Sequence, residues 1–274
     1  MSILPHICSL ALTAAVSVQP GTARPGDVVR IGVRGSEKQP DGTLGNWLLD
    51  FQKNGEDWEA LIALPVDLEE GEYDLDVAIV TGGEDLSIAG SLDVVPPNFP
   101  AKQLTVDKKF ISPSKAQRAW SARDQVAFNH AFSQPMSPRL FTGQFEWPRV
   151  AEINAPFGDL RMFNGKRASQ HFGVDLDGEI GDDAFAANDG KVVMARECFG
   201  SGNTVLLYHG LGLYTAYFHF TKILVKQGQK VKRGEKLGLI GKTGRVTGPH
   251  LHWGAKLQGH WVDAASLIKL DWAE

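Results

Sequence analysis

Apolar residues alternate with other residues along most of the first hundred positions, and turn signals break the alternation repeatedly. Val29, Ile31 and Val33 form one such run. Trp58, Ala60, Ile62 and Leu64 form a second, and Tyr73, Leu75, Val77 and Ile79 a third. A period of two puts each set on one face of a strand, whereas a helix would scatter it. Between the runs lie Arg24-Pro25-Gly26-Asp27, Pro40-Asp41-Gly42, Asn54-Gly55-Glu56, Glu70-Gly71-Glu72 and Thr81-Gly82-Gly83, each able to reverse the chain. Short strands joined by tight turns can bury their apolar faces only against another sheet.

Residues 16–97 are therefore expected to form an antiparallel β-sandwich of immunoglobulin-like size. It carries no cluster of titratable residues of catalytic type, which suits a positioning, recognition or covering module. Pro96-Pro97-Asn98-Phe99-Pro100 is stiff and marks a boundary. Residues 98–144 read as a linker with one helix, capped at Ser112-Pro113-Ser114 and running to about Ala131. Its expected apolar stripe is Ala116, Ala119, Trp120, Val126 and Ala127. From 145 to 274 the chain is Gly- and strand-rich again, with strands at Thr204–Tyr208, Leu213–Phe218, Lys236–Ile240 and Leu251–Leu257. The fold class is mainly β: sandwich, helical linker, then a second antiparallel domain.

With 274 residues, 43% hydrophobic and 22% charged, the chain can bury two cores, and its net charge of −4 with no basic tract gives no footing for nucleic acid. Its two cysteines, Cys8 and Cys198, make neither a disulfide framework nor a Cys-type metal site. Residues 1–15 are apolar and end in small residues, as a signal peptide does, although no Lys or Arg precedes the run and Pro5 and His6 interrupt it. The expectation is export. The run is too short to span a bilayer, and no transmembrane segment is expected elsewhere.

Six of the eight histidines lie at or beyond position 171. Gly248-Pro249-His250-Leu251-His252 places two imidazoles on one face of a strand, as two metal ligands, as one ligand beside an acid/base group, or as a half-buried strand that happens to carry both. His171-Phe172-Gly173-Val174-Asp175 adds an imidazole and a carboxylate four residues apart. With His252 they make a His₂Asp set, which suits zinc with a fourth position open. His219 and His250 then remain for proton transfer or for stabilising an oxyanion.

These motifs, with Tyr217-Phe218-His219 and the near repeat Val225-Lys226-Gln227-Gly228 and Val231-Lys232-Arg233-Gly234, resemble the lysostaphin/LytM-type zinc metallopeptidases, family M23. The resemblance covers most of 157–267. It implies a lysostaphin-type antiparallel β domain with an open groove over 145–274. It also implies one Zn²⁺ per chain held by His171, Asp175 and His252, with His219 and His250 catalytic. The implied activity is hydrolysis of peptide cross-links in bacterial peptidoglycan, the partners being its stem or bridge peptides. Asn164, Tyr217 and Trp253 are the expected substrate contacts, and Tyr217 is expected on the face of His219. Phe220 and the pair Trp253-Gly254 depart from the residues common in the family and bear on substrate fit. No SH3-like wall-targeting module is recognisable, so a periplasmic setting is favoured and secretion is the second choice.

Two other classes compete. Some relatives lose their zinc ligands and regulate other wall hydrolases, which the five intact positions here disfavour. A biotinyl- or lipoyl-type carrier would also use the Val-Lys-x-Gly hairpin, but no Met-Lys pair is present and the histidines would have no role. Of the remaining candidates, His209 reads as structural, His260 as exposed, Cys198 as inert, and Asp159 and Arg161 as groove-rim residues.

Overall fold

The computed structural model describes residues 14–105, 107–163 and 167–272. Most of the expected signal peptide, and Asn164, lie outside the described residues.

The N-terminal half is built from two sheets. One orders Ala15–Gln19, Val28–Arg34, Asp57–Ala63 and Gln52–Asn54; the other orders Thr22–Ala23, Glu84–Val94, Gly71–Thr81, Asp41–Leu44 and Trp47–Leu48. Val29, Ile31, Val33, Ala60 and Ile62 of the first sheet share a core with Leu75, Val77, Ile79, Leu92 and Val94 of the second, as the alternation requires.

The first sheet is buried on its other face as well. Val28, Leu61 and Ala63 point away from the sandwich into the core of the C-terminal half. Next to Leu61 on the same face Glu59, fully buried, takes Arg139 Nε at 2.6 Å on one oxygen, and Arg30 Nε at 2.9 Å together with Arg139 Nη2 on the other. Arg30 and Arg139 also donate to the backbone oxygens of Asp271 and Trp272, at 3.1 and 2.8 Å. The sandwich is thereby fastened to the C-terminal segment, and Ser266 Oγ, accepting from Val28 N at 3.1 Å, adds to the join.

The connector contributes to the second half directly. Ala101–Leu104 pairs in parallel with Leu160–Phe163. The helix runs Lys115–Ala131, with Ser114 and Gln117 forming a reciprocal capping box. Its inner face differs from the expected stripe. Trp120, Asp124, Ala127, Phe128 and Ala131 face inward, while Val126 is 68% exposed. Asp124 occupies a position where an apolar residue would have signalled the face. Its carboxylate is satisfied by Arg196 Nη2 at 2.8 Å and Phe199 N at 2.7 Å.

The main sheet of the second half orders Ile153–Ala155, Val174–Leu176, Leu251–Leu257, Leu213–Phe220, Gly202–Tyr208, Gly190–Cys198 and Lys230–Val231, with His260–Val262 against Leu251–Leu257. On one face Leu251, Trp253, Ala255 and Leu257 join Leu213 and Tyr217 in the core shared with the sandwich. On the other, the helix covers Met194, Leu206, Tyr208, Tyr214 and Ala216. A cleft opens on this second face, beside the helix, with His252 at its floor.

Candidate metal centre

His171, Asp175 and His252 come together from three places. Val174–Leu176 pairs antiparallel with Leu251–Leu257 so that Asp175 lies directly opposite His252, and His171 begins the short loop, 171–173, that enters that strand. Asp175 Oδ1 is 2.9 Å from His171 Nε2 and 2.9 Å from His252 Nδ1, and the two nitrogens are 3.0 Å apart.

The donor chemistry fits a cation. His171 Nδ1 is 2.9 Å from Pro156 O, which only a donor N–H can satisfy, so its Nε2 presents a lone pair. That lone pair, a carboxylate oxygen and a second imidazole nitrogen then face one point, with at most one proton to share. Tetrahedral zinc with bonds of ~2.0–2.1 Å holds its ligand atoms about 3.3 Å apart, a few tenths of an ångström more open than this triangle.

Burial alone would raise the Asp175 pKa. Any proton on the facing imidazoles of His171 and His252 would donate to this oxygen and favour its charge, which overcomes the burial and holds the carboxylate far below its usual range. Burial pushes His252 down to about 4. Both groups are thus in the unprotonated form that ligation needs.

Two arrangements around the set were not expected from sequence. Arg161 Nη2 binds the outer oxygen of Asp175 at 2.9 Å, fixing which oxygen faces the ligand point. Arg161 therefore lies in the cleft, while Asp159, expected beside it at the rim, is fully buried beneath, 3.5 Å from Lys102 Nζ. Phe218 stacks on the His252 ring, with centroids 5.0 Å apart and planes 6° from parallel, and Phe128 of the helix meets Phe218 edge-on at 6.1 Å.

His219 reaches the cleft through a bulge. Val205 pairs with Tyr217 and Asn203 with Phe220, so two residues, Phe218 and His219, oppose Thr204 alone. His219 takes φ +67° and turns to the same side as Phe218. Its Nδ1 lies 2.8 Å from Thr243 O, and His250 Nδ1 lies 3.0 Å from Gly248 O. With each Nδ1–H donated to a carbonyl, both rings present Nε2, their centroids 5.0 Å apart. Burial, then the neighbouring His250 and His252, holds the His219 pKa well below its ordinary value, so the ring is neutral near pH 7.

The expected substrate contacts Tyr217 and Trp253 are corrected by the structure. Both are fully buried in the core. Trp253 alternates with His252 and so faces away from the cleft, and the bulge separates Tyr217 from the side of His219. Tyr217 hydroxyl accepts from Ala187 N at 3.0 Å, a structural bond. His209 is structural, between Asp189 O and Thr215 Oγ1 at 2.7 Å each, and His260 is exposed.

Residues 169–264 match the model of peptidase family M23. The chain contains an M23 peptidase domain. The peptidoglycan DD-endopeptidases ShyA and ShyB of Vibrio cholerae serotype O1 are 48% identical over 99 residues and 44% over 98, in each case 36% of this chain. The chain spans about a quarter of the length of these curated relatives, 23% of each. A crystal structure of a Pseudomonas aeruginosa protein assigned to peptidase M23 is 25% identical with a TM-score of 0.65, covering 89% of this chain and 94% of that one. Coverage of that extent takes in most of the N-terminal strands together with the M23 domain.

Proposed function

We propose that this protein is a zinc-dependent endopeptidase that hydrolyses peptide cross-links of bacterial peptidoglycan, acting outside the cytoplasm and in the periplasm. The observation that carries the reading is a buried His₂Asp set flanked by two histidines whose Nε2 atoms face an open cleft of about 650 Å³. The similarity to ShyA and ShyB supports peptidoglycan as substrate. No helix among the described residues is long and apolar enough to cross a membrane, and export would rest on the segment at 1–15.

His171 Nε2, Asp175 Oδ1 and His252 Nδ1 would hold the ion. Zinc bound there supplies Lewis acidity, polarising the scissile carbonyl and acidifying the attacking water. The remaining work falls to the chain's own groups. One of His219 and His250 takes the water proton on Nε2 as oxygen adds to the carbonyl carbon, and returns it to the leaving nitrogen as the C–N bond breaks. The other, when protonated, donates to the tetrahedral oxyanion. The carbonyls of Thr243 and Gly248 hold both rings in the required tautomer. Phe218 and Arg161 keep His252 and Asp175 in place.

The test is digestion of purified peptidoglycan sacculi by the full chain. Turnover is expected to stop with a chelator, return with Zn²⁺, and be lost in His219→Ala. Wall binding with no turnover at any zinc concentration would replace this reading with that of a silent regulator.

A further inference from the structure

The strand face that carries His252 continues through Gly254 to Lys256, which lines the same cleft. At ~3.3 Å per residue the two Cα atoms are about 13 Å apart. Lys256 Nζ is held 4.5 Å from the ring centre of Phe132, the residue that ends the connector helix, and 5.5 Å from that of Trp261. Trp261 is placed by the neighbouring strand, where it pairs with Lys256. The ammonium is thus held in the cleft wall against aromatic rings.

Among the described residues the cleft offers no uncommitted acid for it: Lys102, Arg161, Arg245 and Lys256 line the wall against only Asp124 and Asp175. Asp124 is committed to Arg196 and Phe199 N, and Asp175 to Arg161 and the two histidines. Among the described residues Lys256 has no ion-pair partner. Burial also lowers its pKa, so the charge has given up part of its hydration without gaining a counter-ion. A cation so placed gains more from an anionic ligand than a solvated surface lysine does.

We propose that Lys256, held against Phe132 and Trp261, is an anion subsite that takes a carboxylate of the peptide substrate about four residues from the bond cut. The inference rests on the endopeptidase reading and adds a specificity element to it. Extended peptide advances ~3.3–3.6 Å per residue, so a chain lying along this strand brings such a group over Lys256 while its scissile carbonyl sits at the ligand set. The connector helix, through Phe132, then shapes substrate choice.

The experiment compares a cross-linked muropeptide dimer bearing free carboxyl groups with its amidated counterpart, using the full zinc-loaded chain, Lys256→Met and Lys256→Arg. The wild type is expected to favour the free acid roughly ten- to hundredfold in kcat/KM, mainly through KM. Lys256→Met should lose that preference while keeping its kcat on the amidated dimer, and Lys256→Arg should restore most of it. Equal kcat/KM on the two dimers in the wild type, or an undiminished preference in Lys256→Met, overturns the subsite. If neither dimer is cut, the endopeptidase reading fails, and binding decides the subsite separately. In a His219→Ala background the free acid should bind more tightly than the amide, and Lys256→Met should erase the difference. Equal binding of both dimers in that background overturns the proposal.

Discussion

Gly173→Ala adds one methyl group beside the candidate metal ligands and should sharply weaken zinc binding. A Cβ at this position would overlap His252 Nε2, with His252 Cε1 at 2.5 Å and Trp253 O at 2.9 Å, where ordinary contacts begin at 3.4 Å. The imidazole must retreat by about 1 Å, because Trp253 O belongs to the strand paired with Val174–Leu176 and yields less readily. Phe218 stacked on the ring restricts the way out. A ligand misplaced by ~1 Å costs about a hundredfold in function. Zinc affinity, read by competition with a chromophoric chelator, should fall by at least about that factor. Overpacking should cost about 1–3 kcal/mol, so the apo variant remains folded by circular dichroism. A Gly173→Ala protein that binds zinc with wild-type affinity would refute the placement of His252 against this loop.

Arg161→Met should weaken zinc binding roughly ten- to hundredfold in the same competition assay, since the group that orients Asp175 is lost while the ligands stay. Glu59→Ala removes the carboxylate that Arg30 and Arg139 share, and should destabilise the chain by about 3–5 kcal/mol in urea titration. Asp57→Ala, at the exposed Arg34 pair, should cost less than about 1 kcal/mol. His209, fully buried, has its pKa pushed down to about 4 by burial, so the unfolded chain binds the extra proton between about pH 6.5 and 4. Its contribution is fully present above about pH 6.5 and is lost as pH falls through about 4. The loss is about 3 kcal/mol of unfolding free energy, and His209→Gln should flatten that part of the profile.

Strand identity was legible because alternation at Val29, Ile31 and Val33 is a direct readout of which face meets the second sheet of the sandwich. The candidate ligand set was legible because His171 and Asp175 lie four residues apart and His252 closes a short His-x-His motif, although 77 residues separate Asp175 from His252. What failed did so where local parity is broken or overridden. His219 reaches the cleft only because a bulge adds a residue opposite Thr204, and no pattern in Tyr217-Phe218-His219 announces it. The same bulge made Tyr217 look like a cleft residue. Trp253 is different, because strict alternation after His252 already assigns it to the core. The connector helix hid its inner face behind Asp124, whose partners Arg196 and Phe199 N are more than seventy residues away. Val28 and Arg30, out of step with the Val29, Ile31 and Val33 alternation, are buried too, because the opposite face of that strand packs on the C-terminal half and Arg30 donates to Asp271 O.

The most direct test of the central claim is mass spectrometry of products released from defined peptidoglycan by the zinc-loaded chain, beside chelated protein and His252→Ala. The account predicts new peptide amino and carboxyl termini, one water added per bond cut, intact glycan, and no such products from either control. Release of the same products by the chelated protein or by His252→Ala, or cleavage confined to glycan bonds, would contradict it.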